Sequence, residues 1–252
     1  MASIADLLQN KPVMPGNFFD YDAYVQSDIE LGMMKNRAGS RLLALPEALL
    51  SVLYSGLEYE LGEATGFVLY QCGYQWGKAF YRRFATEMSE YYGQPIAQMG
   101  TLEFLQGLQE CWKTCGWGTI DLNFDYYEQG FLVVRVHNSA FSNNREANKL
   151  PQAEMESGLL SAFFSQLTGQ PLHSTQTACE SMGAAANHFV LGLADRLKPI
   201  EGWLAEGQDH YAIMRRLIQP GMPVGAGSNP VISQTPAAAP AAPAESLFTV
   251  AN

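Results

Sequence analysis

The chain has 252 residues, 47% of them hydrophobic and 12% aromatic, enough for one ordinary domain with a sizeable core plus extensions. Charged residues make up only 16%, against roughly 25% in an average soluble protein, and the net charge is −10. That balance argues against sequence-independent nucleic-acid binding, which needs Lys and Arg at the phosphates, and against docking on an anionic bilayer by charge alone.

Residues 1–36 read as an N-terminal arm. Its start, MASIADLLQNKP, lacks the basic region and apolar run of a secretory leader, and no apolar run in the chain reaches 18 residues. The expectation is a cytoplasmic protein without a transmembrane segment. Ser3 can cap a short helix through Leu8. Phe18, Phe19, Tyr21 and Tyr24 then sit among acids. They suit an arm packed on the core, or a partner-binding segment, since aromatics are enriched at interfaces.

Residues 37–218 carry the domain. Arg41–Leu45 is a short strand candidate ended by Pro46, which suits a first helical turn with Glu47 behind it. Leu49, Leu50, Leu53, Leu57 and Leu61 give the helix that follows an apolar face, and Gly62 ends it. A longer helix spans Ala64–Tyr92, with Phe67, Tyr70, Gly73, Trp76, Gly77, Phe80 and Phe84 along one side. Gly73 and Gly77, four apart, make a flat patch where another backbone can come close. Thr101 is placed to cap a helix from Leu102 to Cys115, with Glu103 near its positive end.

Trp117–Phe124 and Phe131–His137 read as an antiparallel pair, followed by a polar loop over Phe141–Pro151. Met155, Leu159, Phe163 and Leu167 give Glu154–Thr168 one apolar helical face, stopped by Gly169 and Pro171. Leu172–Ser181 and His188–Leu193 form a hairpin through a turn at Gly183. In its second strand Phe189, Leu191 and Leu193 point one way, and His188, Val190 and Gly192 the other. Two short helices follow Asp195. Residues 219–252 hold six prolines, many alanines, no basic residue and one acid, Glu245. They read as a flexible tail ending in the apolar cluster Leu247–Val250, either frayed or a tethered docking peptide. The fold class is α+β, a helical layer packed on an antiparallel sheet.

Few residues suggest chemistry. Cys72, Cys111, Cys115 and Cys179 make no disulfide framework, and a free Cys packs as a small hydrophobe. Cys111 and Cys115 share a helix face but have no His or Cys at metal spacing nearby. His137, His173 and His188 suit satisfied polar positions in or beside strands. The chain has no Gly-x-Gly-x-x-Gly, phosphate loop, Gly-x-Ser-x-Gly or His-Glu-x-x-His. Without a nicotinamide or flavin fingerprint no hydride source is visible, so the reading leans away from an enzyme.

Three stretches carry a family resemblance. ESGLLSAFFSQLTGQPLHSTQTACESMGAAANHFVL resembles the C-terminal core of the 4-vinyl-reductase-like domain. GFVLYQCGYQWGKAFYRRF is similar to that family's Gly-Tyr-x-x-Gly helix, and TLEFLQGLQECWKTCGWGTIDL to its next helix and strand. The matching region runs from about Arg41 to Leu193. It also resembles, more distantly, the small subunits of vesicle-tethering TRAPP complexes.

The resemblance implies dimerisation through helices, as a homo- or heterodimer. It implies an apolar cavity between helices and sheet, for a tetrapyrrole or another apolar ligand. Carried over, the candidate pocket residues are Phe67, Tyr70, Trp76, Phe80, Glu103, His137 and Cys179. The alternative for the same aromatics is a filled core. Family members with zinc hold it with thiolates and a carboxylate; here those positions read Gln176, Cys179 and Asn187, with Ala153 or a neighbour upstream. Amides are poor ligands beside thiolate, so zinc is not expected.

The family's link to bacteriochlorophyll synthesis implies a non-catalytic binding or assembly module in tetrapyrrole or photosystem biogenesis. Its partners would be photosynthetic membrane-complex subunits, and it would sit peripherally at the thylakoid through one of them. The alternatives are a tetrapyrrole vinyl reductase and a small-molecule sensor domain.

Overall fold

The computed structural model describes residues 16–142, 151 and 153–219. The expected helix at Ser3–Leu8, most of the polar loop and the Pro/Ala tail beyond residue 219 lie outside them. In chain order the elements are α1 (Tyr21–Tyr24), β1 (Val25–Asp28), β2 (Met33–Asn36), β3 (Arg41–Leu42), α2 (Glu47–Leu61), α3 (Thr65–Tyr92) and α4 (Thr101–Thr114). There follow β4 (Thr119–Asn123), β5 (Leu132–His137), α5 (Glu154–Thr168), β6 (Leu172–Ala178), β7 (Asn187–Leu193), α6 (Ala194–Leu197), α7 (Pro199–Ala205) and α8 (His210–Leu217).

The expected α+β class holds. The main sheet is antiparallel, in the order β4-β5-β7-β6. Ile120, Leu122, Val134, Val136, Phe189 and Leu191 face inward and share a core with α3, α4 and α5. The alternate residues do not face water. Val133 and Val190, with Phe131, lie under Leu197, Ile200, Ile213, Met214 and Leu217 of the C-terminal helices. The sheet is therefore a middle layer, and β7 is apolar on both faces because both are covered.

The helical layer turns on one close contact. A Cβ on Gly73 would run into the carbonyl of Met155, and one on Gly77 into that of Leu159. From the other side, a Cβ on Gly158 would strike the carbonyl of Tyr70. The flat patch read from Gly73 and Gly77 is thus the seat of α5. Pressed between α3 and the sheet, α5 is buried on every side from Glu156 to Ser165 rather than along one apolar face.

The arm is more ordered than its sequence suggests. It contains α1 and two strands of a small antiparallel sheet, and β2 pairs with β3 across residue 36. Phe18, Phe19 and Tyr24 sink into the main core, where Phe19 lies flat on Phe84 at 5.4 Å. Buried Asn36 donates through Nδ2 to Glu87 Oε1 (2.9 Å) and to the Tyr24 hydroxyl (3.3 Å).

Two local expectations are corrected. Thr101 is the first residue of α4, not its cap. Gly100 takes that place, and the Glu103 carboxylate accepts its N–H at 3.1 Å. The apolar face of α2 is not buried either: Tyr54 is its one fully buried side chain, while Leu49, Val52, Leu53, Tyr59 and Leu61 are exposed. Among the described residues no helix is long and apolar enough to cross a membrane.

The glycine contact yields a paired prediction. Gly158→Ala should lower stability by about 3 kcal/mol or more, the upper end of overpacking costs, because the obstacle is backbone. Gly56→Ala, mid-helix on α2 with nothing within 4 Å of the added carbon, should instead raise it by about 0.5–1 kcal/mol. Urea titrations of both variants test the pair.

Candidate functional site

Rings from three helices and two loops meet at the centre of the inner layer. Phe80 of α3 lies 5.2 Å from Trp117, 5.8 Å from Trp112 of α4 and 5.4 Å from Phe163 of α5. Trp76 packs on Trp117 at 5.0 Å and on Phe141 at 5.7 Å. Most of these pairs are edge-on, the arrangement aromatic quadrupoles favour, and they fill the space between α3, α4 and the sheet.

Against this cluster stands a carboxyl group. Glu156 is fully buried in the first turn of α5, and one oxygen accepts a hydrogen bond from Ser139 Oγ at 2.7 Å. Its other oxygen, Oε1, and the indole nitrogen of Trp112 are both buried without a hydrogen-bond partner. The Trp112 N–H is near enough to favour the carboxylate, though outside good hydrogen-bond geometry. Burial is the largest influence and drives the pKa up to about 8; the Ser139 and Trp112 donors oppose it, and Glu180 adds to it. At neutral pH Glu156 is therefore largely protonated, able to donate as well as accept. Its helical spacing to Leu160 and Phe163 places it on a buried face, but acids in a first turn ordinarily signal an exposed, dipole-favoured position. Trp112, four residues after Leu108, was legible as core.

A second polar group joins the start of α5 to the β6–β7 hairpin. The Ala153 N–H donates to Gln176 Oε1 (2.8 Å), and Gln176 Nε2 donates to Asn187 Oδ1 (3.1 Å). Asn187 Nδ2 donates to Glu180 Oε2 (2.6 Å) and to the Val136 carbonyl (3.2 Å), and the Glu180 N–H donates back to Asn187 Oδ1. The Glu180 carboxylate also receives the N–H groups of Asn138 and Ser139, and so borders the Ser139–Glu156 pair. Buried Cys179 keeps its sulfur 2.9 Å from Ser181 Oγ.

These are the positions at which the resembling family holds zinc, and the donors do not fit that ion. Two of them are neutral amides engaged with one another, and Cys179 is the one thiol. Among the described residues no group of three or more His, Cys, Asp or Glu side chains is placed to hold a metal.

The residues picked out from sequence are divided. Trp76 and Phe80 stand together in the ring cluster. Phe67 lies apart, 68% exposed near the start of α3. Tyr70 is half-buried, its hydroxyl 2.6 Å from His173 Nδ1. Glu103 serves the start of α4 and also accepts from Gln94 Nε2 (3.3 Å). His137, exposed at the end of β5, donates to the Ala185 carbonyl at 3.1 Å. Cys179 belongs to the hairpin turn.

Comparison with known proteins follows this geometry. Residues 132–193 match the model of the vinyl-4-reductase (V-4-R) domain family. No curated protein matches the sequence. Among solved structures the chain is similar to the phenol-responsive sensory domain of the transcription activator PoxR, solved with phenol. There the TM-score is 0.53 at 14% identity, over 87% of this chain and 99% of that one. It is also similar to trafficking protein particle complex subunit 3 from Naegleria fowleri, covalently bound to palmitic acid (TM-score 0.45, 12% identity, 58% of this chain and 94% of that one). A vinyl-4-reductase family protein from Methanocaldococcus jannaschii gives a TM-score of 0.39 at 12% identity, over 60% and 82%.

The carboxyl group yields a pH prediction. Glu156 keeps its proton in the folded chain up to about pH 8, whereas an ordinary Glu releases it near 4.5. As pH rises through that window the unfolded chain gives up a proton that the folded chain retains, so unfolding is favoured and stability falls. Glu156→Gln, neutral at every pH, should remove this slope. It should gain about 3–5 kcal/mol on the wild type between pH 4 and pH 9, at roughly 1.4 kcal/mol for each pH unit separating the two states. Denaturant titrations across that range check it.

Proposed function

The chain belongs, over residues 132–193, to the vinyl-4-reductase domain family, and from that premise we propose that it is a non-catalytic binding and assembly module. The observation that carries the proposal is α2. A Leu-rich helix of 15 residues leaves Val52 68%, Leu53 52% and Tyr59 88% exposed. A contiguous apolar face of this kind marks a surface that another molecule covers. In its finer form the proposal sets the module in tetrapyrrole or photosystem biogenesis, with membrane-complex subunits as partners. The family's bacteriochlorophyll link supports that setting. The reductase alternative has less support, because no fingerprint of a hydride carrier accompanies the fold.

A second reading, a small-molecule sensor, is favoured by Glu156 Oε1 and Trp112 Nε1. These are two unpartnered polar atoms beside a ring cluster, and the related fold includes a sensory domain solved with phenol. A ligand there would accept from the indole N–H and pair with the carboxyl, and would have to displace packed rings to enter.

Native mass spectrometry of the protein purified from its own cells, with absorbance on the same sample, separates the readings. The assembly module is expected as a ligand-free chain within larger species. Val52→Glu/Leu53→Glu should deplete those species while changing stability by no more than about 0.5 kcal/mol, as at other exposed sites. A retained chromophore, or tight binding of phenol or a tetrapyrrole that Trp112→Phe weakens, would put the sensor reading first. Reductant-dependent turnover of a vinyl tetrapyrrole would overturn both.

A further inference from the structure

Building on the docking role of α2 given above, we infer that its occupant is a cationic amphipathic helix of another protein. Leu49, Val52, Leu53, Gly56 and Tyr59 recur at the three- and four-residue spacing that places them along one side of α2. The stripe suits an apolar helix laid along it, and Gly56, with nothing within 4 Å of its missing side chain, lets that helix come close.

The charge around the stripe has one sign. Between Arg41 and Lys78 the chain has four charged residues, Glu47, Glu58, Glu60 and Glu63. All four are exposed acids. Glu58 and Glu60 stand in the last turn of α2, which has no basic residue, so they add to the negative end of the helix dipole instead of offsetting it. The isolated helix is poorly arranged in this respect. A cation brought from outside would correct it.

Other occupants meet that charge unfavourably. In a second copy, parallel or antiparallel, an α2 laid on α2 supplies no cation to either, and two chains of net charge −10 repel. An amphipathic helix that lies on an anionic bilayer carries Lys or Arg on its polar face, and α2 has neither. A partner helix with a Leu-like stripe flanked by Lys or Arg fills the apolar face and neutralises the acids together. Its charge would chiefly set partner choice and association rate, while the buried stripe would hold the complex.

The test uses the full chain and two synthetic 18-residue amphipathic peptides with one Leu stripe, flanked by Lys in one and by Glu in the other. Binding is read by fluorescence anisotropy at 50 and 300 mM salt. Light scattering of the chain alone, and co-sedimentation with phosphatidylglycerol vesicles, run alongside. The Lys peptide is expected to bind at least tenfold more tightly than the Glu peptide, with the gap narrowing at high salt. Val52→Glu/Leu53→Glu should weaken the Lys peptide at least tenfold. Mere attraction to an acidic protein would be strengthened by those two added acids, so this result separates docking from charge. Val52→Ser/Leu53→Ser should act in the same direction without a change of charge.

Equal binding of both peptides, still lost in the double variants, would overturn the cationic partner and leave the docking role intact. So would a dimer of the chain, or vesicle binding, that the double variants abolish. Peptide binding and self-association untouched by either double variant would overturn both.

Discussion

Backbone contact between α3 and α5, made through Gly73, Gly77 and Gly158, is the constraint from which the rest of the architecture follows. Any side chain at these positions would hold the helices apart. With them at contact, α5 has no solvent face over most of its length and becomes an internal strut between α3 and the sheet. That in turn fixes how near Phe163 comes to Phe80 and Phe84, and how deep Glu156 sits. A carboxyl group at this depth cannot be hydrated, so it retains a proton. The unusual acid is a consequence of the glycine contact as much as of its own neighbours.

The hairpin clasp shows how a site can lose a metal's donors and keep their mechanical purpose. The amides of Gln176 and Asn187, with the Glu180 carboxylate, tie the first residue before α5 to β6, β7 and the end of β5. Each such bond contributes only about 0.5–1.5 kcal/mol, but a buried group left without its partner costs about 1–3 kcal/mol. A closed network of this kind is therefore sensitive to the loss of any member. It also accounts for Asn187 and Gln176, which as isolated polar residues in a buried hairpin would be unfavourable.

The inside and outside of the molecule carry different messages. Inside, rings in edge-on contact occupy the space between helices and sheet, and polar groups are mostly satisfied in pairs. Outside, α2 presents apolar side chains with acids and no bases. The asymmetry points toward assembly: what is finished lies in the core, and what lacks a counterpart lies on one surface helix.

Much of this was legible in the residues. Periodicity located α3, α5 and the four strands of the main sheet to within a few positions, because apolar spacing is a local property set by helix and strand geometry. The Gly73/Gly77 pair announced a close approach, since two glycines one turn apart leave a bare strip of backbone. Amides at Gln176 and Asn187 announced poor zinc donors, because ligand chemistry belongs to residue type. What approaches a surface is decided by contacts between distant segments, and that lay beyond the sequence. The leucines of α2 have the same spacing whether a neighbour covers them or not. Phe67 shares a helix with Trp76 and Phe80 but not their burial. Glu156 reads as an ordinary first-turn acid until α3, Ser139 and Trp112 close over it. Residue type and spacing set what each segment can do; the packing of segments far apart in the chain decided which side chains met and which were left facing solvent.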